Sequence, residues 1–344
     1  MRKLKFAVIG TGFWANYQIP AWQEFEEVEL VAVYNRTRSK AEAIAQKFGI
    51  PRVYDQTNDL LENEALDFVD IITDVDTHHP FTLTAAQKAL HIICQKPMAP
   101  TWNLSKEMVQ ACEAAQVKYF IHENFRWQSP IRRLKKLMDS GIIGSVFKAK
   151  VSFCSAFPVF ENQPFLKDLK QFILTDIGSH ILDICRFLLG EVDTLYCLTA
   201  RIHPNIQGED VANVLMKMKN GVHCYAEMSY ASLLEKEAFP QTLILLEGEK
   251  GSISLGHNYE LRVSTAQGTE LEWANPFIYA WSDPAYALVH ASIVDCHRDI
   301  LSDLLGQKTA ETIGRDNLET VRLVHACYHS ASTNQVVYLK DFDE

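Results

Sequence analysis

The chain has 344 residues, 47% hydrophobic and 22% charged, with a formal net charge of −10. That is enough chain for about two domains with sizeable cores. The acidic balance, with no dense Lys/Arg run, speaks against nucleic acid or an anionic membrane surface as partner. No apolar stretch approaches the roughly 18 residues of a membrane span, and the start "MRKLKFAVIG" has too short an apolar run for a signal peptide. The eight cysteines are scattered with no CxxC pair. They read as buried, reduced thiols of a cytoplasmic protein, not as a disulfide framework or a zinc site.

Residues 1–123 alternate between short apolar runs and helical patterns. "LKFAVIG" is a first strand, followed by strands at 28–35, 52–54, 66–73, 91–95 and 118–122, with helices at 39–48, 80–90 and 102–115 between them. Nearly continuous apolar strands alternating with helices imply a parallel sheet covered on both faces. The rhythm changes after Asn124. "SPIRRLKKLMDSGIIG" is a helix with Pro130 in its first turn and Gly141 past its end. "SVFKAKVSFCSA" is a strand, and a helix through Asp176 ends at Gly190. Strands follow at 192–201, 211–218, 222–229, 241–247 and 259–264, with Asn220-Gly221 as a hairpin turn. Helices at 284–305 and 315–333 and a final "VVYL" close the chain. The expected architecture is α/β: a parallel Rossmann-type domain, 1–123, and an α+β domain, 124–344, with a large, mainly antiparallel open sheet.

Chemistry enters at the end of the first strand. "VIGTGFWA" places Gly10, Thr11, Gly12, Phe13, Trp14 and Ala15 as a Gly-x-Gly-x-x-Ala turn between strand and helix. Such glycines let the backbone approach a pyrophosphate, and the helix N-terminus supplies N–H groups and a favourable dipole. Pro20 falls inside that helix and should kink or shorten it. At the end of the second strand, where an acid usually bonds the ribose 2′-hydroxyl of NAD, stands Asn35, followed by Arg36 and Arg38. A carboxylate would repel a 2′-phosphate and an arginine would pair with it, so NADP(H) is the expected cofactor and NAD(H) the alternative.

A second cluster lies in "LTDIGSHILDI". On a helix, Asp176, His180 and Asp183 share one face. That stripe is either a solvated helix face with capping acids or a proton-transfer site, since an imidazole titrates close to neutrality. Gly178 would leave room for a ligand to approach. Asp183 would pair with Arg186 or Lys96, or hold the helix. Neither these three residues nor His325 and His329 make a closed zinc pattern, so no metal is expected.

With "ICQKPMA", "HENFRWQ", "DIGSHILD" and the closing "ACYHSASTNQVVYL", the chain resembles the Gfo/Idh/MocA family of nicotinamide-dependent oxidoreductases along nearly its whole length. The resemblance implies that Lys96 reaches the substrate hydroxyl and nicotinamide ribose, that His180 is the general base and that Asp176 helps bind substrate. It implies that Thr73 and His78 lie close to the cofactor and that Asn124, Arg126 and Trp127 line the substrate site. Two positions depart from the family pattern. Gln95 replaces a glutamate beside Lys96, and Asp74 replaces a proline in the cofactor loop. The implied reaction moves a hydride between nicotinamide and a secondary alcohol or carbonyl of a polyhydroxylated small molecule, a sugar or cyclitol. The competing readings are a glycoside hydrolase that works by oxidation and elimination on tightly held NAD(P), and a non-catalytic dinucleotide-binding regulator. The open sheet implies a homodimer or homotetramer.

Overall fold

The structure, a computed structural model, describes residues 2–343. Contacts divide the chain into two compact units.

The first unit holds a six-stranded parallel sheet: β1 (Leu4–Ile9), β2 (Val28–Tyr34), β3 (Arg52–Tyr54), β4 (Phe68–Ile71), β5 (His91–Gln95) and β6 (Tyr119–His122), in the order β3-β2-β1-β4-β5-β6. Alternate residues of each strand point to opposite faces. One face (Ala7, Ile9, Val69, Ile71, Ile92 and Cys94) packs on Leu60, Ala85, Met108 and Cys112. The other carries Phe6 stacked on Phe68, with ring centroids 4.7 Å apart. Trp22 lies against both rings and donates to buried Asp70 at 2.8 Å. Pro20 does sit inside the helix Ala15–Trp22, which is correspondingly short. The helix Thr57–Asn63 was not anticipated.

This unit comprises residues up to Asn124 together with Tyr279–Pro284 and Ser292–Val321. The expected first boundary lies within a residue of Asn124, but the clean cut into two contiguous domains does not match these contacts, because the chain returns. His297 stacks on Trp22 at 3.9 Å, Ile121 N–H donates to the Thr312 carbonyl at 2.9 Å, and Phe120 bridges Ile313 in antiparallel fashion at the sheet edge. Gly314 is required here: a Cβ would come within 2.3 Å of the Tyr119 ring.

The second unit, Phe125–Ile278 with Ala285–Ala291 and the residues from Arg322 on, holds a nine-stranded sheet. Its strands are β7 (Val146–Cys154), β8 (Val192–Ala200), β9 (Val211–Met218), β10 (His223–Ser229), β11 (Leu243–Gly248), β12 (Gly251–Leu255), β13 (Glu260–Thr265), β14 (Gly268–Trp273) and β15 (Val337–Tyr338), in the order β14-β13-β12-β11-β7-β10-β9-β8-β15. Every pairing is antiparallel except β7 with β10. The helices Ser129–Asp139 and Ser179–Leu189 cover one face. Across the other runs a row of paired residues: Tyr196, Leu215, Tyr225, Lys150, Leu245, Ser254, Arg262 and Leu271. Leu215 is 57% exposed on that face. Among the described residues no helix is long and apolar enough to cross a membrane.

Candidate functional site

In the first unit the strand order reverses between β1 and β4, and the carboxyl ends of those strands carry the glycine turn and the loop from Thr73 to Thr77. Ligands of open α/β sheets bind at such a reversal. Gly10 has φ +114°, and a Cβ there would lie 2.5 Å from the Ile72 carbonyl oxygen, so only glycine lets the two strand ends meet this closely. At Gly12 a Cβ would meet nothing within 4 Å, which leaves the turn open for a ligand's phosphates. Ala15 is buried and opens the helix, and the N–H groups of Ala15, Asn16 and Tyr17 are bonded to the Gly12, Phe13 and Trp14 carbonyls at 3.2, 3.2 and 3.0 Å. Phe13 is exposed and packs edge-on against Trp14. These residues fit a pyrophosphate.

At the ribose end, the Asn35 amide donates to Thr11 Oγ1 at 2.6 Å, and Asn35 Oδ1 accepts from Thr37 N–H at 2.8 Å. Asn35 therefore joins the end of β2 to the glycine turn. Arg38 pairs with Glu42 at 2.9 Å and lies 3.8 Å from Asp55. Arg36 and Arg38 are both exposed. Asp74 is exposed, and its carbonyl accepts from Thr77 N–H and Thr77 Oγ1. Thr77 Oγ1 also lies 2.8 Å from Thr73 Oγ1.

After β5, Gln95 Oε1 accepts the Lys96 N–H at 2.9 Å, and the Lys96–Pro97 peptide is cis. The side chain that replaces the family glutamate thus folds back on its own backbone. Lys96 is half-buried. His78, which the resemblance places close to the cofactor, is turned inward. It is 1% exposed, with Nδ1 3.0 Å from the Pro97 carbonyl and Nε2 3.1 Å from the Thr73 carbonyl. Burial draws its pKa below the ordinary histidine value, against the pull of those carbonyls.

In the second unit the expected regular helix through Asp176 begins as a π turn, Leu174–Gly178, and becomes α-helical at Ser179. Such a widened turn shifts the helical register, and it recurs at functional sites. Glu209 holds its start: Oε1 accepts from Phe172 N–H at 3.2 Å, from Leu174 N–H at 3.3 Å and from Tyr328 hydroxyl at 2.8 Å. The Tyr328 oxygen in turn accepts the Thr175 N–H at 3.2 Å. Tyr230 hydroxyl donates to Asp176 Oδ2 at 3.2 Å, while its ring stacks on Phe172. Burial and the neighbouring Asp176 carboxylate push the Tyr230 phenol pKa far up, so it remains a donor. His180 stacks on Phe125, centroids 3.8 Å apart and planes within 6°. An added methyl at Gly178 would face Ile173 and Leu174 at 3.4 Å, so this glycine opens no space for a ligand.

Asp183 leaves the stripe. It is fully buried and receives two hydrogen bonds from Arg126, Nε to Oδ2 at 2.7 Å and Nη2 to Oδ1 at 2.5 Å. Arg186 pairs with Glu191 at 2.6 Å. Arg126, expected at the substrate site, is buried and turns Nε and Nη2 of its planar fork onto the Asp183 carboxylate. Trp127 is buried beneath the guanidinium of Arg132 at 4.1 Å. In the first unit, the Asn124 amide donates to Ser292 Oγ at 2.7 Å. Sequence reasoning missed Tyr230, Glu209 and Tyr328, whose partners lie far away along the chain.

A parallel sheet in this order, with a glycine turn at its reversal, defines a dinucleotide-binding domain of the Rossmann class. The comparisons narrow that class. Residues 4–123 match the "Oxidoreductase family, NAD-binding Rossmann fold" of Gfo/Idh/MocA, and residues 131–254 match the "GFO/IDH/MocA C-terminal domain". D-apiose dehydrogenase of Paraburkholderia graminis is 40% identical, over 100% of this chain and 92% of the relative. D-apiose dehydrogenase of Rhizobium rhizogenes is 38% identical, over 98% of each. A solved oxidoreductase from Agrobacterium radiobacter, in complex with NAD+, L-tartaric acid and magnesium, is 38% identical over 98% of this chain and 99% of that one, with a TM-score of 0.96. The chain belongs to the Gfo/Idh/MocA family, and it is a nicotinamide-dependent sugar oxidoreductase acting on CH–OH groups.

Proposed function

We propose that this chain is a dehydrogenase of D-apiose or a closely similar sugar, oxidising one CH–OH carbon to a carbonyl. Full-length similarity to two D-apiose dehydrogenases carries the reading. When bound, the nicotinamide would accept the hydride that leaves the carbinol carbon. His180 takes the hydroxyl proton as the carbonyl forms, its ring orientation set by Phe125. Asp176, anchored by Tyr230, accepts a hydrogen bond from a second sugar hydroxyl. Lys96 polarises the reacting oxygen. Gly10 through Ala15 cradle the pyrophosphate, and Thr73 with Asp74 frames the nicotinamide side. Gln95 acts there through the Lys96 backbone. Asn124 and Trp127 are the further residues that the family resemblance assigns to the substrate.

At the ribose end the lack of an acid favours NADP(H), with Arg36 as the cation for a 2′-phosphate; the Agrobacterium relative holds NAD+. The eight unbridged thiols suit the cytoplasm. The row of Leu215, Tyr225, Leu245 and Leu271 on the open sheet face suits a second copy of the chain, giving a homodimer or homotetramer.

The test is a panel of D-apiose, D-xylose, levoglucosan and inositol with NAD+ and NADP+, read by the absorbance of the reduced nicotinamide. The highest kcat/KM falls to D-apiose, and turnover of none of these sugars would overturn the reading. Lys96→Met and His180→Ala should each lower kcat by about 10²–10⁴-fold. A variant that keeps full kcat loses its assigned role.

A further inference from the structure

A single imidazole joins two loops that serve the proposed chemistry. His78 begins the helix that follows the Thr73 loop. It contacts the Thr73 carbonyl behind it, at 3.1 Å, and the Pro97 carbonyl of the next crossover, at 3.0 Å. Both neighbours are carbonyl oxygens, which only accept, and the neutral ring that burial favours carries one N–H; with that proton on Nδ1 the ring donates to the Pro97 carbonyl, the bond that spans the two loops. His78 is 1% exposed and is one of the buried residues of its helix, with Thr82, Ala85 and Ala86.

We propose that His78 is a positioning residue that fixes the Lys96–Pro97 segment against the Thr73 loop, and so sets where the Lys96 ammonium stands during hydride transfer. This rests on the reading of Lys96 as a catalytic group. The Pro97 carbonyl is one peptide beyond Lys96, so displacing it turns the Lys96 backbone directly. The Thr73 carbonyl belongs to a loop already tightened by Thr77, whose N–H bonds the Asp74 carbonyl at 2.9 Å. The long-range tie to Pro97 is therefore the one with no local substitute. Gln95 holds the Lys96 N–H from the other side, so the lysine's backbone is gripped at both ends by side chains.

The test compares His78→Gln, whose amide carries two N–H donors, with His78→Leu, which has none. With saturating dinucleotide and D-apiose, or whichever sugar the panel selects, His78→Leu should lower kcat about ten- to a hundredfold, the scale of a small misplacement of a catalytic group. KM for the sugar should stay within about threefold, because the sugar's own contacts remain. His78→Gln should recover kcat to within about threefold of the unaltered enzyme. A folded His78→Leu enzyme with a lower Tm but unaltered kcat would overturn the proposal and leave His78 a packing residue. If His78→Leu does not fold, His78→Asn replaces it. Its shorter arm draws the amide back from the Pro97 carbonyl, so kcat should fall below that of His78→Gln, and kcat equal to that of His78→Gln would overturn the proposal equally. Lys96→Met, assayed alongside, separates the two ideas: full activity there removes the Lys96 reading itself, whatever the His78 variants do.

Discussion

Both faces of the six-stranded sheet are covered, whereas the nine-stranded sheet leaves the face of Leu215 and Tyr225 open. Their interiors differ as well. Beneath Trp22 the first sheet buries Asp70 with one carboxylate oxygen bonded and the other without a hydrogen-bond partner. The second unit buries Asp183, but binds both of its oxygens to one arginine. Two buried aspartates thus meet opposite fates, and the difference lies in the partner. An indole N–H offers one neutral hydrogen bond, while a guanidinium offers two and a charge. Burial accordingly pushes Asp70 up to about 7.

Breaking the paired aspartate should have the largest effect. Arg126→Leu strands Asp183 in the interior and should destabilise the protein by about 3–5 kcal/mol, read as a lowered denaturant midpoint. A shift below about 1 kcal/mol would mean that Asp183 finds another donor.

Asp70 gives the opposite sign. Its pKa is higher folded than unfolded, so the native state holds a proton that the unfolded chain releases. Stability from that proton is fully present below about pH 4 and is lost as pH rises through about 7. Asp70→Asn keeps an acceptor for Trp22 without the charge. It should stabilise the protein by on the order of 2–4 kcal/mol at pH 8 and by little at pH 4. Equal denaturant midpoints for both proteins across that range would sink the argument.

The smallest effect on the protomer belongs to the open face. Leu215→Asp should change its stability by only about 0.5 kcal/mol, because the side chain is already exposed. It should nevertheless move sedimentation from dimer or tetramer toward monomer. An unaltered protein sedimenting as a monomer would show that this face binds no second copy.

The same contrast explains what could be read from the chain alone. Strands of the covered sheet are nearly continuous apolar runs, broken at Asp70 in β4; β3, "RVY", and β5, "HIICQ", fall where the pattern placed them. On the half-open sheet, "GSISL" in β12 and "GTELEW" in β14 are short and polar and give no such signal. The order of motifs singled out Lys96, Asp176 and His180, the residues of the proposed chemistry. Their supports stayed hidden because the partners are remote: Asp183 lies 57 residues from Arg126, and Tyr230 lies 54 residues from Asp176. Spacing on an ideal helix put Asp183 in the stripe. The π turn at Leu174–Gly178, with no side-chain periodicity of its own, was invisible.

The return of residues Ser292–Val321 to the first unit bears on how the molecule is made. While a ribosome is still producing the nine-stranded sheet, the nucleotide-binding fold lacks the imidazole that caps Trp22 and the segment that lies along β6. A nascent chain stopped near residue 124 would therefore present that edge and that indole to water or to chaperones. Only emergence of the penultimate helices closes the core that the first residues began.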